Sequence, residues 1–296
     1  MNTIRVRRVL SASLLVATAV SFAPMMHAQS NSDSTKVLVI DREFTKPGRD
    51  GAAHEATEAG FIRAVQANKG NIHYIALTSM TGTNRALFIS GYASLSAIDM
   101  ERRSMPQAAQ VAMDKAMVAD GDVLSEQSAS IWLRRDDLST NVAGPPAGMR
   151  YMEISEYVVK PGHVHEFEEL AKMYVAAAKN IPEFHWTAYQ LAYGHTDSPT
   201  FLVFTALKSG AEADAEFGAG KKFEDAVGED GMKKMAELEA ASVATEMTNL
   251  FAVNAKMSIP TDAMVKAEPD FWKAKTTTST ATKKTTAPAK SGTTGQ

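Results

Sequence analysis

The feature that most constrains the fold of this chain is an internal repeat. Residues 46–48 read Lys-Pro-Gly and recur as residues 160–162, 114 positions later. Residues 72–74, Ile-His-Tyr, correspond to residues 184–186, Phe-His-Trp, 112 positions later. Further matches follow in the same order, at 87–89 with 201–203 and at 126–132 with 246–252. Several matches in one order predict a duplicated unit of about 100 residues.

The hydrophobic periodicities also run in the same order within each unit. Residues 36–43 and 151–158 are rich in β-forming residues and precede the Lys-Pro-Gly turn, so each unit is predicted to begin with a strand. A helix follows, most clearly over residues 164–181, where apolar residues are spaced three and four apart. Two strands joined by a glycine-containing turn, a second helical region and a final strand complete each unit. The order β-α-β-β-α-β is that of a ferredoxin-like unit.

Changes in composition divide the chain into seven segments. The Gly/Pro-rich residues 141–148 break both periodicities and separate the two repeats. The threonine- and lysine-rich end contains no large apolar residue, and this composition predicts disorder. The predicted segments are a signal peptide at 1–28, a polar leader at 29–35, the first ferredoxin-like repeat at 36–140, the linker at 141–148, the second repeat at 149–258, a C-terminal extension that packs on the body at 259–272, and a disordered tail at 273–296.

Two ferredoxin-like units in tandem resemble the dimeric α/β-barrel superfamily, in which two such sheets pack face to face. Within that superfamily the chain is most similar to the antibiotic-biosynthesis-monooxygenase type, on its element order and its repeated Lys-Pro-Gly turn. The resemblance implies an α+β fold in which two ferredoxin-like β-α-β-β-α-β repeats pack as an intramolecular pseudo-dimeric α/β barrel, with a cavity between the sheets. Members of that type include cofactor-free oxygenases and haem-degrading enzymes. No residue pattern here matches one of their catalytic sets, so the chemistry stays open.

The N-terminus has the pattern of a secretory signal peptide. The basic residues Arg5, Arg7 and Arg8 precede an apolar stretch at about 9–23, and Ala28 is the predicted last residue before cleavage. The apolar stretch is shorter than the roughly 20 residues that span a bilayer. The sequence therefore predicts a periplasmic or secreted protein with no transmembrane span in its mature form.

Composition excludes several classes of function. The chain has no cysteine, which removes disulfides, thiolate nucleophiles, cysteine-ligated zinc and iron–sulfur clusters. Its formal charge is −3, but both ends carry only basic charges, eight in total, so the body between them carries −11. An acidic body repels phosphate backbones, and no nucleic-acid partner is expected. No phosphate-binding loop or serine-hydrolase motif is present in the sequence.

Two histidines and several aromatic residues are the candidate site residues. His73 and His185 occupy equivalent places at the start of the second strand of each unit, so they are candidates for a general base, a haem ligand or a metal ligand. A histidine that forms only local hydrogen bonds is the simpler interpretation. The candidate walls of a ligand cavity are Tyr74, Trp132, Trp186 and Tyr189. Because side chains alternate along a strand, not all four can face one cavity.

Metal-ligand spacings are less specific. His54 and Glu58 are four residues apart in a predicted helix, as are His165 and Glu169. Neither pair completes an HExxH pattern, and the repeat places Glu168 rather than a histidine opposite His54. Solvated helix faces account for both pairs, and the sequence predicts no metal site.

Three functions from different classes fit these observations. The sequence leaves open whether the protein is an enzyme. The first is an exported module that binds a small apolar or aromatic molecule between the sheets. The second is a monooxygenase-like enzyme that is either cofactor-free or haem-dependent. The third is a structural or stress-related envelope protein without an open site. In each case one chain is expected to form the whole barrel as a monomeric pseudo-dimer.

Overall fold

A computed structural model describes residues 35–142, 148–194 and 196–273. The predicted signal peptide, nearly all of the polar leader, the centre of the linker and the tail beyond Lys273 lie outside the described residues. Within the described ranges, none of the helices combines the length and the apolar composition needed to cross a membrane.

The described chain alternates strands and helices in two similar series. The first series is β1 (Val37–Thr45), α1 (Ala52–Ala67), β2 (Ile75–Ser79), β3 (Arg85–Tyr92), α2 (Leu95–Ser104), α3 (Gln107–Asp120) and β4 (Leu124–Thr140). The second series is β5 (Tyr151–Val159), α4 (Val164–Ala178), β6 (Trp186–Tyr193), β7 (Thr200–Leu207), α5 (Gly210–Gly218), α6 (Gly220–Ser242) and β8 (Val243–Val253). A short 3₁₀ helix (Ala255–Met257), α7 (Asp262–Ala267) and α8 (Pro269–Trp272) follow.

The eight strands close into one barrel in the order β1-β3-β2-β8-β5-β7-β6-β4. All neighbouring strands are antiparallel. The two series meet at two seams, where β2 pairs with β8 and β4 pairs with β6. Closure leaves no exposed sheet edge in the barrel, which removes a route to aggregation. The α+β class predicted from the sequence is confirmed.

Side chains fill the interior of the barrel. Alternate residues of the strands point inward, and they form one apolar cluster of Leu38, Ile40, Leu77, Leu87, Trp132, Ile154, Tyr189, Leu202, Phe204 and Phe251. Trp132 is fully buried in it. One charged pair accompanies this core, since Arg42 Nη2 lies 3.6 Å from Glu156 Oε2 and the Arg42 guanidinium lies 5.7 Å from the centre of the Trp132 ring.

The helices cover the outer face of the barrel. In the first series α1 packs over a cluster that includes Val65, Tyr74 and Phe88. In the second series α4 packs over a cluster that includes Phe167 and Phe201. The two helices differ in what they bury, because α4 presents apolar residues whereas α1 buries His54 and Glu58 together with Val65. This difference places polar groups under α1.

The segment after β8 folds back onto the barrel. Tyr74 and Ile259 exchange two backbone hydrogen bonds of 3.0 Å, which tie the segment to β2. Further along, the Arg150 guanidinium lies 3.8 Å from the centre of the Phe271 ring, and the Arg150 side chain pairs with Glu268. Trp272 is 9% exposed. The segment therefore contacts both series of elements.

Removing this segment should destabilise the protein. Truncation after Ser258 deletes Ile259 and Trp272, and burial of one large apolar side chain contributes about 1.5–3 kcal/mol. We expect Tm to fall by at least about 5 °C. Truncation after Lys273 removes none of these contacts and should leave Tm unchanged. Equal melting temperatures for the two truncated chains in calorimetry would contradict this prediction.

Candidate metal centre

Four polar side chains converge between β1, α1 and α3. Glu43 lies near the end of β1 and points to the outer face, because its neighbour Arg42 points inward. His54 and Glu58 are one turn apart in α1 and share the face that packs on the barrel. Asp120 is the last residue of α3, which packs beside α1. β1 and α3 thus contribute one of these groups each, and α1 contributes two.

The four groups form a compact and buried cluster. One ligand atom from each of them lies within 4.8 Å of the corresponding atom of every other. His54 Nε2 is 2.9 Å from Glu43 Oε2 and 3.7 Å from Asp120 Oδ1. All four residues are between 3% and 6% exposed. The cluster is therefore a site inside the protein rather than a solvated acidic surface.

Neighbouring polar groups hold two of the carboxylates in place. Gln127 Nε2 donates to Glu43 Oε1 at 3.0 Å, and Thr57 Oγ1 donates to Asp120 Oδ1 at 2.6 Å. Hydrogen bonds of this kind orient the carboxylates of metal sites. In Glu43 the other oxygen, Oε2, faces His54. These hydrogen bonds therefore hold the two carboxylates in fixed positions around a common centre.

The cluster is electrostatically costly without a positive charge. Burial, together with the nearby Glu43 and Asp120 carboxylates, raises the pKa of Glu58 to about 9. Burial also raises the pKa of Glu43, while its hydrogen bond to His54 opposes that effect. Asp120 stands at the C-terminal end of α3, where the helix dipole disfavours a negative charge. Burying these carboxyl groups without a positive charge therefore costs free energy that apolar side chains at the same positions would not cost.

Tyr74 adds a fifth polar group. It is 7% exposed, and its buried hydroxyl has no hydrogen-bond partner within the described residues. Its ring lies edge-on to Phe88, with centroids 5.4 Å apart, and Phe88 in turn lies edge-on to the His54 ring at 6.2 Å. Burial raises the pKa of Tyr74, and among the charged groups Glu58 adds most to this rise. Phe88 thus contacts both the Tyr74 ring and the His54 ring in the layer under α1.

The second series of elements shows that the fold does not require these carboxylates. Tyr157 on β5 stands three residues before the second Lys-Pro-Gly turn, as Glu43 does before the first. Its ring packs on Phe167 of α4, with centroids 5.6 Å apart, and Phe167 packs on Phe201 at 4.6 Å. Aromatic rings fill the place under α4 that polar groups occupy under α1.

The structure distributes the residues predicted from the sequence over four places. Trp132 and Tyr189 belong to the packed core inside the barrel, and Tyr74 lies on the outer face under α1. His73 is exposed, with Nδ1 3.2 Å from the carbonyl oxygen of Pro260. The four candidate aromatic residues therefore do not all face one space, as expected from the alternation of side chains along a strand.

The remaining two predicted residues lie together at the rim of the barrel. His185 and Trp186 line a cavity of about 500 Å³, together with Thr187, Phe204 and Ala206. His185 Nε2 lies 2.9 Å from the carbonyl oxygen of Ala206, and Trp186 Nε1 donates to the carbonyl oxygen of Leu138 at 2.9 Å. Each of these two side chains is thus held by a hydrogen bond to a backbone carbonyl. For His185 this agrees with the interpretation that the histidine forms only local hydrogen bonds.

Close to this rim, Glu216 should make stability depend on pH. Burial and the charge of Glu153 raise its pKa, His185 opposes them, and the resulting pKa is about 7. Between about pH 4.5 and 7 the folded protein then binds more protons than the unfolded chain, so stability falls as pH rises through this range. Glu216→Gln should raise Tm by about 1–3 °C at pH 8 and leave it unchanged at pH 5, since the side chain is only partly buried. An equal effect at both pH values would contradict the prediction.

Sequence reasoning found only half of the buried cluster. The spacing of His54 and Glu58 is visible in the sequence. Glu43 lies 11 residues before His54, and Asp120 lies 62 residues after Glu58, so no local spacing connects them to this pair. One signal in the sequence does point to the site. The apolar stripe of α1 is weak, and it is weak because two of its three buried residues are polar.

Comparisons with known proteins concern the fold alone. No family model matches the chain, and no curated protein matches it. Among solved structures, an anthrone oxidase-like protein is 13% identical with a TM-score of 0.49, over 75% of this chain and 93% of that one. A Fusobacterium nucleatum protein assigned as a monooxygenase is 12% identical with a TM-score of 0.49, over 74% and 92% of the two chains. A mutant chlorite dismutase from Candidatus Nitrospira defluvii is 11% identical with a TM-score of 0.46, over 81% and 97%. These neighbours are proteins of the dimeric α/β-barrel superfamily.

Proposed function

We propose that this protein binds a metal cation between β1, α1 and α3. The observation that carries the proposal is the buried set of one imidazole and three carboxylates whose ligand atoms lie within 4.8 Å of one another. Ligands about 2.1 Å from one cation lie at most about 4.2 Å apart. A contraction of a few tenths of an ångström therefore brings the four groups to coordinating distance.

The donor set indicates the class of cation. Carboxylate oxygens suit Mg²⁺, Ca²⁺ and Mn²⁺, while imidazole suits iron, zinc and copper. Three carboxylates with one histidine favour manganese or iron, which accept both kinds of ligand. Within the described residues the site has little solvent exposure, so a bound cation would be shielded from water.

Metal analysis of the purified protein tests the proposal. Protein prepared without chelators should contain about one equivalent of a first-row metal by mass spectrometry, and protein stripped with EDTA should bind MnCl₂ in calorimetry. Glu43→Gln and Asp120→Asn keep the side-chain volume and remove one charge each, so both should weaken binding by about 10–100-fold. Glu216→Gln, which lies outside the cluster, is the matched control. Absence of both retained metal and Mn²⁺ binding in the unmodified protein would refute the proposal.

A second candidate function rests on the rim cavity of about 500 Å³. We propose that it binds a small aromatic molecule, with Trp186 and Phe204 as its apolar walls and His185 as a polar contact. This retains the ligand-binding function expected from the sequence but moves the site from between the sheets to the end of the barrel. Quenching of tryptophan fluorescence by a panel of phenols, lost in Trp186→Phe, would support it. A panel without effect on the unmodified protein would argue against it.

We also propose that the two series of elements are a fused pair of ferredoxin-like repeats and that the protein is exported. Both proposals rest on the sequence, namely the repeated Lys-Pro-Gly turn and the pattern of residues 1–28. Mass spectrometry of the expressed protein in its source cell should find Gln29 at the N-terminus of the mature chain. A mature chain that retains Met1 would contradict export by cleavage.

A further inference from the structure

We propose that the rim cavity binds an aromatic carboxylate, with the ring against Trp186 and Phe204 and the carboxylate paired with Lys179 and Lys208. The inference rests on the ligand-binding function proposed above for this cavity, and it specifies the class of ligand. It rests in addition on the charged residues of the lining, which the aromatic walls do not determine.

The walls of the cavity suit a flat apolar group. Phe204 is buried and lies edge-on to Tyr189 of the barrel core, with ring centroids 5.5 Å apart. Trp186 is half-buried, and its hydrogen bond of 2.9 Å to the carbonyl oxygen of Leu138 fixes the orientation of the indole. Aromatic rings pack on such surfaces in offset or edge-on arrangements. The two side chains therefore offer a ligand ring a fixed apolar surface.

Two neutral polar side chains of the lining already have partners within the protein. Asn141 Nδ2 donates to the carbonyl oxygens of Phe184 at 2.7 Å and Ala178 at 3.3 Å. His185 Nε2 donates to the carbonyl oxygen of Ala206 at 2.9 Å. These hydrogen bonds hold the loop between α4 and β6 and the start of β6. Their donors are thus engaged in holding the cavity together.

The two ammonium groups of the lining, in contrast, have no such partner. Lys179 directly follows α4 and Lys208 directly follows β7, and both side chains are exposed. Neither ammonium forms an ion pair with a described residue. Four other lysines of the second series each pair with a carboxylate, namely Lys172, Lys221, Lys222 and Lys234. The cavity thus holds two positive charges that the described protein leaves without a counter-charge.

The acid of the lining does not supply that counter-charge. Glu212 Oε2 accepts a hydrogen bond of 2.6 Å from the backbone N–H of Lys208, so this carboxylate is engaged at the start of α5. The stem of Lys208 lies beside Gly148, with Cγ and Cδ each 3.6 Å from the position that a Cβ at Gly148 would have. The stem is therefore packed, while its ammonium can pair with a ligand.

The balance of charge indicates which anion fits. Two lysines and one glutamate give the lining one net positive charge, on a protein whose body is acidic. A carboxylate carries one negative charge, whereas a phosphate monoester carries about 1.5–2. Hydrogen bonds from ammonium groups to ionised acceptors are also stronger than those to neutral ones. An aromatic acid therefore matches both the walls and the charge of the cavity.

Calorimetric titration with two matched ligands tests this inference. The probes are 4-hydroxybenzoate and 4-hydroxybenzamide, which share a phenol ring and differ in the charge of one substituent. We expect the protein to bind the acid at least about 5-fold more tightly than the amide, since each exposed ion pair adds roughly 2–5-fold. Because salt screens exposed charges, about 0.5 M NaCl should reduce this preference.

Substitution of the two lysines assigns the preference to the cavity. Lys179→Met and Lys208→Met keep a long side chain and remove one charge each, so each should lower the affinity for the acid by roughly 2–5-fold. Their affinity for the amide should not change, which also shows that the cavity is intact. Lys233→Met is the matched control, because Lys233 is exposed on α6, forms no ion pair with a described residue and does not line the cavity.

The outcomes separate this inference from the ligand-binding function. A preference for the acid that is lost in the double variant of Lys179 and Lys208 and retained in Lys233→Met would support the inference. Equal affinities for acid and amide, a preference that survives in the double variant, or an equal loss in Lys233→Met would overturn it and leave an aromatic-binding cavity in place. Binding of neither compound to the unmodified protein would overturn both.

Discussion

Replacing Trp132 with alanine should lower the free energy of unfolding by about 3–5 kcal/mol. Trp132 is fully buried inside the barrel, and its Nε1 donates to Ser130 Oγ at 2.8 Å. The same Ser130 oxygen accepts a hydrogen bond of 3.0 Å from Arg42, so the substitution opens a cavity beside a buried charge. We expect Tm to fall by roughly 10 °C in calorimetry, at about 2–4 °C for each kcal/mol.

The half-buried Trp186 provides the control for this substitution. It lies at the rim of the barrel, so Trp186→Ala should cost less than half as much as Trp132→Ala. If Trp132→Ala were as stable as the unmodified protein, the barrel interior would tolerate an open space, and the sequence-based expectation of a ligand cavity between the sheets would regain support. A large loss of stability identifies Trp132 as a structural core residue.

The element order could be predicted from the sequence because its signals are local. Each Lys-Pro-Gly turn ends a strand, and its glycine has a positive φ, 75° at Gly48 and 87° at Gly162. Only glycine adopts this conformation without strain, so the same three letters mark the same turn twice. The helix predicted at residues 164–181 is observed as Val164–Ala178 for a similar reason, since its periodicity is local.

The features that the sequence analysis missed depend on contacts between distant parts of the chain. The last strand of the first series is 17 residues long and extends over Leu124–Thr140. Its first part pairs with β1 and its last part with β6 of the other series, so neither length nor register is encoded within the strand itself. Each second helical region also proves to be two helices, α2 with α3 and α5 with α6.

The buried cluster of Glu43, His54, Glu58 and Asp120 cannot be predicted from the sequence for the same physical reason. The spacing of His54 and Glu58 is typical of a solvated helix face, and this was the interpretation that their sequence context favoured. The structure instead buries both, at 3% and 5% exposure, because α1 lies on Glu43 of β1 and beside Asp120 of α3. A pattern within one helix cannot indicate which partner will cover it. Burial is what changes an unremarkable pair of residues into candidate ligands.

Cation binding should stabilise the folded protein strongly. The unfolded chain cannot bring Glu43, His54 and Asp120 together, so a cation binds almost only to the folded state. At a free concentration of about 100 times Kd, this linkage adds about 2.7 kcal/mol to the free energy of unfolding. For EDTA-treated protein we expect MnCl₂ to raise Tm by about 5–10 °C, and fresh EDTA should reverse the rise. Glu216→Gln should respond as the unmodified protein does, whereas Asp120→Asn should show a much smaller rise at the same concentration. An equal rise in all three proteins would show that Mn²⁺ acts elsewhere on the acidic surface, and the buried cluster would lose its role as the binding site.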